Sequence, residues 1–196
     1  MRRLQAARGK ALSHHSDAEP HDGSESSPAT GARVRRPLWI VLGVAAGVVA
    51  LDQLSKWWVQ QVMPGRAPID VVGDWLQITY TRNPGAAFSL GGSFTVVLSV
   101  IAITVAVVIV RMASKLGSVA WAVALGGVLG GALGNLIDRL FRAPGPFHGH
   151  VVDWIAVPNY PVFNIADSAI FCSAALMIYL SFRGIGLDGS RPSAKG

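Results

Sequence analysis

Four long apolar segments run along the chain, and polar or charged residues separate them. They cover about residues 38–59, 94–110, 119–137 and 166–182. A helix rises about 1.5 Å per residue, so roughly 20 apolar residues are needed to cross the hydrocarbon core of a bilayer. The pattern therefore predicts an all-α membrane protein with four transmembrane helices.

The first segment carries charges within its length. Its fourteen uncharged residues, 38–51, precede Asp52 and Lys56, and fourteen residues of helix cover only about 21 Å. The helix is therefore predicted to continue to Trp57 and Trp58. Asp52 and Lys56 are four positions apart and can pair on one face. Two interpretations stay open: a structural role at an active site, or a snorkelling lysine that the aspartate neutralises.

The loop of residues 60–92 contains a short alternating stretch. LQITYT, from Leu76 to Thr81, alternates apolar and polar residues, which is typical of a half-buried β-strand. Asn83, Pro84 and Gly85 then turn the chain back. The predicted fold therefore includes a small β-containing loop region beside the helices.

The third segment has small residues at helical spacing. Gly126, Gly130 and Gly134 recur at every fourth position. Small residues on one face allow another helix to approach closely. We interpret this face as a packing surface, with a pore-lining role as the alternative.

Polar tails flank the four segments. Residues 1–36 are rich in Arg, Ser, Gly and His and show no apolar periodicity, so a disordered tail is predicted. Residues 37–183 form the predicted four-span domain, and residues 184–196 form a second polar tail.

The composition supports membrane insertion and argues against other classes. Hydrophobic residues make up 51% of the chain and charged residues 14%, whereas soluble chains average about a quarter charged. The net charge of +6 resides in tails and short loops, so no nucleic-acid partner is expected. The single cysteine, Cys172, lies in an apolar segment and excludes an intramolecular disulfide.

The basic residues predict the orientation. Of the 17 lysines and arginines, twelve lie in the tails or in the 111–117 loop, and five lie on the other side. Cytoplasmic segments are the ones enriched in Lys and Arg. Both termini are therefore expected in the cytoplasm, which makes the β-containing loop region extracytoplasmic.

Three aspartates follow or begin the last two segments. Asp138, Asp153 and Asp167 are all expected at the outer face. Carboxylates near hydrocarbon are costly, so they are candidates for a functional site. Two carboxylates held close together keep one proton near neutral pH. Such a pair can take a proton from water and protonate a carbonyl oxygen, which is the chemistry of peptide hydrolysis.

Spacing alone does not select which two aspartates pair. Asp138 is followed directly by Arg139, and we interpret these two as a structural ion pair. Asp167 opens the fourth helix, where the helix dipole favours a carboxylate. A helix-start charge alone would account for Asp167 but would leave Asp153 unexplained, so we interpret Asp153 and Asp167 as a pair that shares one proton at the outer face.

Two other classes of protein and a metal site explain fewer of these features than a peptidase does. A proton-coupled transporter would use the aspartates as a relay, but it should place carboxylates at several depths and show an internal repeat. A non-catalytic scaffold would use the glycine face and leave the polar cluster unexplained. His148 and His150 with Asp153 could imitate a metal site, but no HExxH motif supports one.

Five motifs stand in order along the chain. They are DQLSK (Asp52 to Lys56), TRNPGAAFS (Thr81 to Ser89), GNLIDR (Gly134 to Arg139), GHVVDW (Gly149 to Trp154) and FNIADS (Phe163 to Ser168). With these motifs the chain resembles the bacterial lipoprotein signal peptidases, or signal peptidase II, from about residue 38 to 182. The long N-terminal tail departs from the shorter common form of that family.

The resemblance implies a site and a substrate. It places the catalytic aspartates of an intramembrane aspartic peptidase on Asp153 and Asp167. It also implies supporting roles around the site for Asn83, Asn135, Asp138, Arg139, Asn164, Asp52 and Lys56. The implied substrates are diacylglyceryl-modified prolipoproteins, which are cleaved immediately before the lipidated cysteine.

The remaining expectations concern cofactors, partners and cellular location. The resemblance implies no metal and no organic cofactor. Membrane lipids are expected partners, and a monomer is expected. The implied location is the bacterial cytoplasmic membrane, with several spans, both termini in the cytoplasm and the active site at the outer face.

Overall fold

The structure is a computed structural model that describes residues 31–85 and 92–191, with the backbone alone at 31–36 and 92–94. Residues 1–30 of the predicted disordered tail, residues 86–89 of the TRNPGAAFS motif and residues 192–196 of the second tail lie outside the described residues. Residues 31–36, which the sequence analysis assigned to the tail, belong to the first helix.

Within the described residues, four helices are long and apolar enough to cross a membrane, which confirms the prediction of four spans. They are α1 (Gly31–Val62), α2 (Gly92–Ala113), α3 (Val119–Phe141) and α4 (Ile165–Phe182). Helix α1 continues through Asp52 and Lys56 to Trp57 and Trp58, as predicted, and both tryptophan side chains are exposed. The other helices also extend beyond their predicted bounds, α3 by four residues to Phe141.

Helix α3 lies at the centre of the bundle, where α1, α2 and α4 all pack against it. Its glycines make these contacts close. A Cβ at Gly130 would lie 2.7 Å from Cβ of Val48 on α1, and one at Gly131 would overlap the carbonyl oxygen of Ala166 on α4. Real Cβ atoms do not approach so closely, so the glycines act as a packing face, as interpreted from their spacing.

A three-stranded antiparallel sheet lies in the connecting loops. Its strands are β1 (Ile69–Val72), β2 (Leu76–Asn83) and β3 (Val151–Ala156), in the order β1-β2-β3. The predicted strand 76–81 is confirmed as β2. The pairing of β2 with β3 sets Thr81 opposite Asp153 and Asn83 opposite Val151. The sheet therefore brings the Asn83 loop to the aspartate on β3.

The opposite end of the bundle is closed by the segment after α4. The backbone N–H groups of Gly117 and Ser118 donate to the carbonyl of Leu187 over 3.0 and 3.1 Å. The indole N–H of Trp121 donates to the carbonyl of Ile185 over 2.8 Å. The sheet and the aspartates thus lie at one end of the helices, and these polar connections lie at the other.

The glycine packing face leads to a stability prediction. Gly131→Ala should lower the thermal unfolding temperature of the protein in detergent, because the added methyl would overlap Ala166 and lie 2.6 Å from Cγ1 of Ile170. Overpacking of this kind costs about 1–3 kcal/mol. Gly43→Ala is the matched control, since a Cβ there meets nothing within 4 Å. Equal unfolding temperatures for the two variants would contradict the packing role.

Candidate active site

Asp153 is buried on β3 and is held by two asparagines. Its side chain is 2% exposed. Asn83 Nδ2 on β2 donates to Asp153 Oδ2 over 2.9 Å, and Asn164 Nδ2 donates to Oδ1 over 2.6 Å. The Asn83 side chain is itself fixed, because its Oδ1 accepts the N–H of Gly85 over 2.8 Å. Both carboxylate oxygens therefore have a neutral amide donor.

Asp167 occupies the first turn of α4 within a capping box. Its backbone N–H donates to Asn164 Oδ1 over 3.0 Å, and its Oδ2 accepts the N–H of Asn164 over 3.2 Å. Such reciprocal bonds satisfy donors that a helix start leaves free. Asn135 Nδ2 on α3 donates to Asp167 Oδ1 over 2.7 Å. The carboxylate is thus fixed by the start of its own helix and by α3.

Asn164 and Asn135 connect the two aspartates. Asn164 Nδ2 reaches Asn135 Oδ1 over 3.1 Å as well as Asp153. A continuous chain of hydrogen bonds therefore runs from Asp153 through both asparagines to Asp167. The negative charges of the two aspartates also repel each other. The two aspartates predicted to pair are therefore linked through Asn164 and Asn135.

A buried ion cluster lies next to this chain. Lys56 Nζ contacts Asp52 Oδ2 over 2.8 Å and Asp138 Oδ2 over 2.9 Å, and all three side chains are fully buried. It also donates to Asn135 Oδ1 over 3.0 Å. The predicted pairing of Asp52 with Lys56 is confirmed. The alternative of a snorkelling lysine is wrong, because a snorkelling side chain keeps its charge in water.

The predicted ion pair between Asp138 and Arg139 is wrong. Within the described residues, the ion pairs of Asp138 are with Lys56 and with Arg142, whose Nε lies 2.5 Å from Oδ1. Arg139 instead donates from Nη1 to the carbonyl of Asn135 over 3.3 Å. Adjacent residues on a helix point in different directions, whereas residues four apart share a face. Asp138 therefore meets Arg142.

The two other buried acids hold the backbone of the segments that carry the pair. Asp52 Oδ1 accepts the N–H of Ala166, in the first turn of α4, over 3.0 Å. Asp138 Oδ2 accepts the N–H of Val152 on β3 over 3.1 Å. Each acid thus fixes the residue immediately before one member of the aspartate pair.

Sequence reasoning missed three polar side chains in this region. Gln53 Nε2 donates to the carbonyl of Gly134 over 3.0 Å and to Asp138 Oδ1 over 3.2 Å. Arg142 Nη1 contacts Gln60 Oε1. Gln53 and Gln60 are seven residues apart, with Lys56 between them, and this spacing of polar residues on one helix face was the available signal.

Burial changes the acidity of Asp153. Loss of solvent raises its pKa from 3.8 to about 6; the hydrogen bond from Asn83 lowers the pKa, and the charge of Asp167 raises it. Arg139 interacts electrostatically with Asp167, Asp138 and Asp153. A carboxyl with a pKa near neutrality beside a second carboxyl can retain a proton that the second one lacks.

A cavity of about 410 Å³ lies directly beside Asp167. One wall is the connection between β3 and α4, and the other is the first two turns of α4. Its lining residues are Val157, Tyr160, Phe163, Asp167, Ser168, Phe171 and Cys172. The site therefore combines a polar hydrogen-bonded pair with a largely apolar cavity.

Comparison with known proteins agrees with these features. The family model described as Signal peptidase (SPase) II matches residues 44–183. A lipoprotein signal peptidase of Streptomyces griseus is 48% identical over 176 residues, which cover 86% of this chain and 90% of that protein. A lipoprotein signal peptidase of Mycobacterium avium is 46% identical over 162 residues, which cover 83% and 89%.

Two solved structures share the fold at 30% sequence identity, with TM-scores of 0.64 and 0.65. They are described as bacterial membrane enzymes determined by the in meso method at 2.3 and 1.9 Å resolution. The alignments cover 72% and 73% of this chain and 87% and 92% of the two structures.

The fold and the site define a class of protein. It is a four-span membrane protein whose buried carboxylates lie together at one end of its helices. The family match extends over nearly all of the described helices and strands. The chain belongs to the signal peptidase II family and is an aspartic endopeptidase of bacterial membranes.

The environment of Asp153 leads to a titration prediction. The infrared absorption of its protonated carboxyl should disappear as pH rises through about 6. Asn83→Ala should move this transition to higher pH, because the Asn83 hydrogen bond stabilises the charged form. Asp153→Asn should remove the band and so assign it. An unmoved transition, or one at lower pH, would contradict the described role of Asn83.

The raised pKa of Asp153 also determines how the stability of the folded protein changes with pH. The folded chain binds an extra proton between the unfolded pKa of 3.8 and the folded value of about 6. The free energy of unfolding therefore decreases as pH rises through that window, because of Asp153. Above the window, this destabilisation by Asp153 stays constant.

Proposed function

We propose that Asp153 and Asp167 are the catalytic pair with which this peptidase removes signal peptides from diacylglyceryl-modified prolipoproteins. The scissile bond is the one immediately before the lipidated cysteine. The observation that carries this proposal is the continuous hydrogen-bond chain from Asp153 through Asn164 and Asn135 to Asp167. It holds two carboxyl groups in one fixed arrangement.

The two aspartates divide the acid and base roles. Asp153 supplies the shared proton; its pKa, raised to about 6, keeps a protonated fraction closer to neutral pH than an ordinary carboxyl would. Asp167, whose carboxylate accepts two N–H donors at the start of α4, takes the role of the base. Asp167 takes a proton from water, whose oxygen attacks the scissile carbonyl carbon. Asp153 donates its proton to the carbonyl oxygen, which gives a tetrahedral diol.

Collapse of the diol completes the reaction. The proton on Asp167 passes to the leaving nitrogen as the C–N bond breaks, and Asp153 regains a proton from the diol. The products are a signal peptide with a free carboxyl group and a lipoprotein with a free amino group on its cysteine. Each aspartate thus returns to its starting state.

The remaining polar residues support this pair. Asn83, Asn135 and Asn164 orient the carboxyl groups through the bonds described above. Arg139 stabilises the negative charge of Asp167, which is its strongest electrostatic partner. Asp52, Lys56 and Asp138 fix the segments that carry the pair. None of these residues changes its covalent bonding during the reaction.

The site lies where a membrane-bound substrate can reach it. The signal peptide of a prolipoprotein has an apolar region, and its lipid chains belong in the bilayer. We propose that the enzyme acts as a monomer in the bacterial cytoplasmic membrane, in contact with membrane lipids. Its termini lie in the cytoplasm and its site lies at the outer face, in accordance with the distribution of Lys and Arg.

The catalytic pair is tested by removing one carboxyl group at a time. Asp153→Asn and Asp167→Asn should each lower the cleavage rate of a lipidated prolipoprotein by about 10²–10⁴-fold or more, because an amide cannot exchange the proton. The double variant should be little worse than either single one, since the two groups act as a unit. Cleavage is measured with equal amounts of folded, purified protein.

Asp74→Asn is the matched control, because Asp74 is an exposed aspartate in a loop at the same end of the bundle. It should cleave at the unchanged rate. Robust cleavage by either Asn variant of the pair would mean that other carboxylates perform the chemistry.

The orientation is tested by thiol labelling in intact cells. In a Cys172→Ser background, Ala67→Cys should react with an impermeant thiol reagent and Ser114→Cys should not, since only the first is placed outside. Both positions are exposed. Ser114 is preferable to Gly117, where a Cβ would overlap the carbonyl oxygen of Asp188. After cell lysis both variants should label equally, and the reverse pattern in intact cells would overturn the orientation.

A further inference from the structure

Asn83 lies where β2 ends and a turn begins. Its backbone is paired with Val151 on β3, and its side chain donates to Asp153 Oδ2 over 2.9 Å. A hydrogen bond weakens steeply once donor and acceptor leave a narrow range of distance and angle. The Asn83 amide therefore keeps this bond only if the turn after it is held in place as well as the strand before it.

The turn is held by a side chain from α2. Thr95 Oγ1 donates to the carbonyl of Pro84, the residue after Asn83, over 2.6 Å. Proline has no backbone N–H, so this carbonyl is the only main-chain group through which Pro84 can form a hydrogen bond. Gly85 follows with a φ of 89°, a conformation that favours glycine, and its N–H donates to Asn83 Oδ1. Thr95 therefore attaches the turn to a membrane-spanning helix.

The hydroxyl group of Thr95 is directed differently from two later hydroxyl groups of α2. Thr95 and Ser99 share one helix face and are 1% and 0% exposed. Ser99 Oγ donates to the carbonyl of Thr95, and Thr104 Oγ1 donates to that of Val100, each over 2.8 Å. Such bonds to the carbonyl four residues earlier are common for hydroxyl groups within a helix. Thr95 instead donates out of its helix, to a residue eleven positions earlier.

We propose that Thr95 is a positioning residue for the peptidase reaction, which holds the turn at Pro84 so that the Asn83 amide stays against Asp153. The inference rests on the proposed function, because it gives a contact of Asp153 a part in catalysis. Thr95 acts through Pro84 and Asn83 and takes no part in the bond changes. Without its hydroxyl group, the Pro84 carbonyl loses its donor, and the turn can move the amide away from Asp153.

The test removes the hydroxyl group alone. Valine has nearly the shape of threonine without the hydroxyl, so Thr95→Val keeps the packing of α2. Its kcat for a lipidated prolipoprotein should fall about 2–10-fold, the loss expected for one neutral hydrogen bond, with little change in KM. Thr95→Ser retains the hydroxyl group and should retain the full kcat. Thr95→Ala, which also lacks the hydroxyl, gives the same test if Thr95→Val does not fold.

The titration of Asp153 separates positioning from a purely structural role. The hydrogen bond from Asn83 lowers the pKa of Asp153. Thr95→Val should therefore move the infrared transition of the Asp153 carboxyl to higher pH, as Asn83→Ala does, and Thr95→Ser should leave it in place. The charged groups that also act on Asp153 are the same in all these variants; they are Asp167, Lys56 and Arg139.

A double variant shows whether Thr95 acts through Asn83. In an Asn83→Ala background no amide remains to be positioned, so Thr95→Val should add no further loss of kcat and no further shift of the transition. Changes at independent positions add, whereas changes at coupled positions do not. A full additional loss in the double variant would give Thr95 a separate, structural role and overturn the proposal.

Thr104→Val is the matched control, because Thr104 is an exposed threonine of α2 whose hydroxyl bonds within the helix. It should change neither kcat nor the transition. A transition that stays in place in Thr95→Val, or one that moves without a loss of kcat, would also overturn the proposal. Cleavage by Asp153→Asn tests the proposed function separately, so failure of that function is distinguishable from failure of the role of Thr95.

Discussion

The site depends on the buried ion pairs made by the ammonium group of Lys56. This group lies between the carboxylates of Asp52 and Asp138, with none of the three side chains exposed. Removing one partner of a buried ion pair costs about 3–5 kcal/mol, because the remaining charge is left uncompensated. Lys56 bridges acids on two different helices, so α1 and α3 must meet at this point, and Arg142 adds a second ion pair to Asp138.

Asp52 and Asp138 connect the ion cluster to the aspartate pair. Asp52 binds the backbone at Ala166 and Asp138 binds it at Val152, so the helix and the strand that carry the pair are both attached to one ion cluster. Gly134 makes the approach possible, since a Cβ there would lie 2.7 Å from Asp52 Oδ2. The placement of the carboxylates therefore depends on the close packing that the small residues allow.

Sequence reasoning predicted what local periodicity determines. Four spans follow from the apolar segments, and the Asp52–Lys56 pair follows from a spacing of four. The predicted partner of Asp138 was wrong, because Arg139 is adjacent in the chain whereas Arg142, four residues on, shares the helix face of Asp138. Strand β3 was missed because its residues do not alternate and its partner β2 lies about 70 residues earlier. Such long-range pairing is set by the fold as a whole.

Amide hydrogen exchange in a Lys56→Met protein tests the central role of the ion cluster most directly. The N–H groups of Val152 and Ala166 should both lose protection, because the acids that accept them lose their shared cation, while the N–H of Leu129 in the middle of α3 should remain protected. If both amides kept their original exchange rates in the folded variant, Lys56 would not hold the aspartate pair in place.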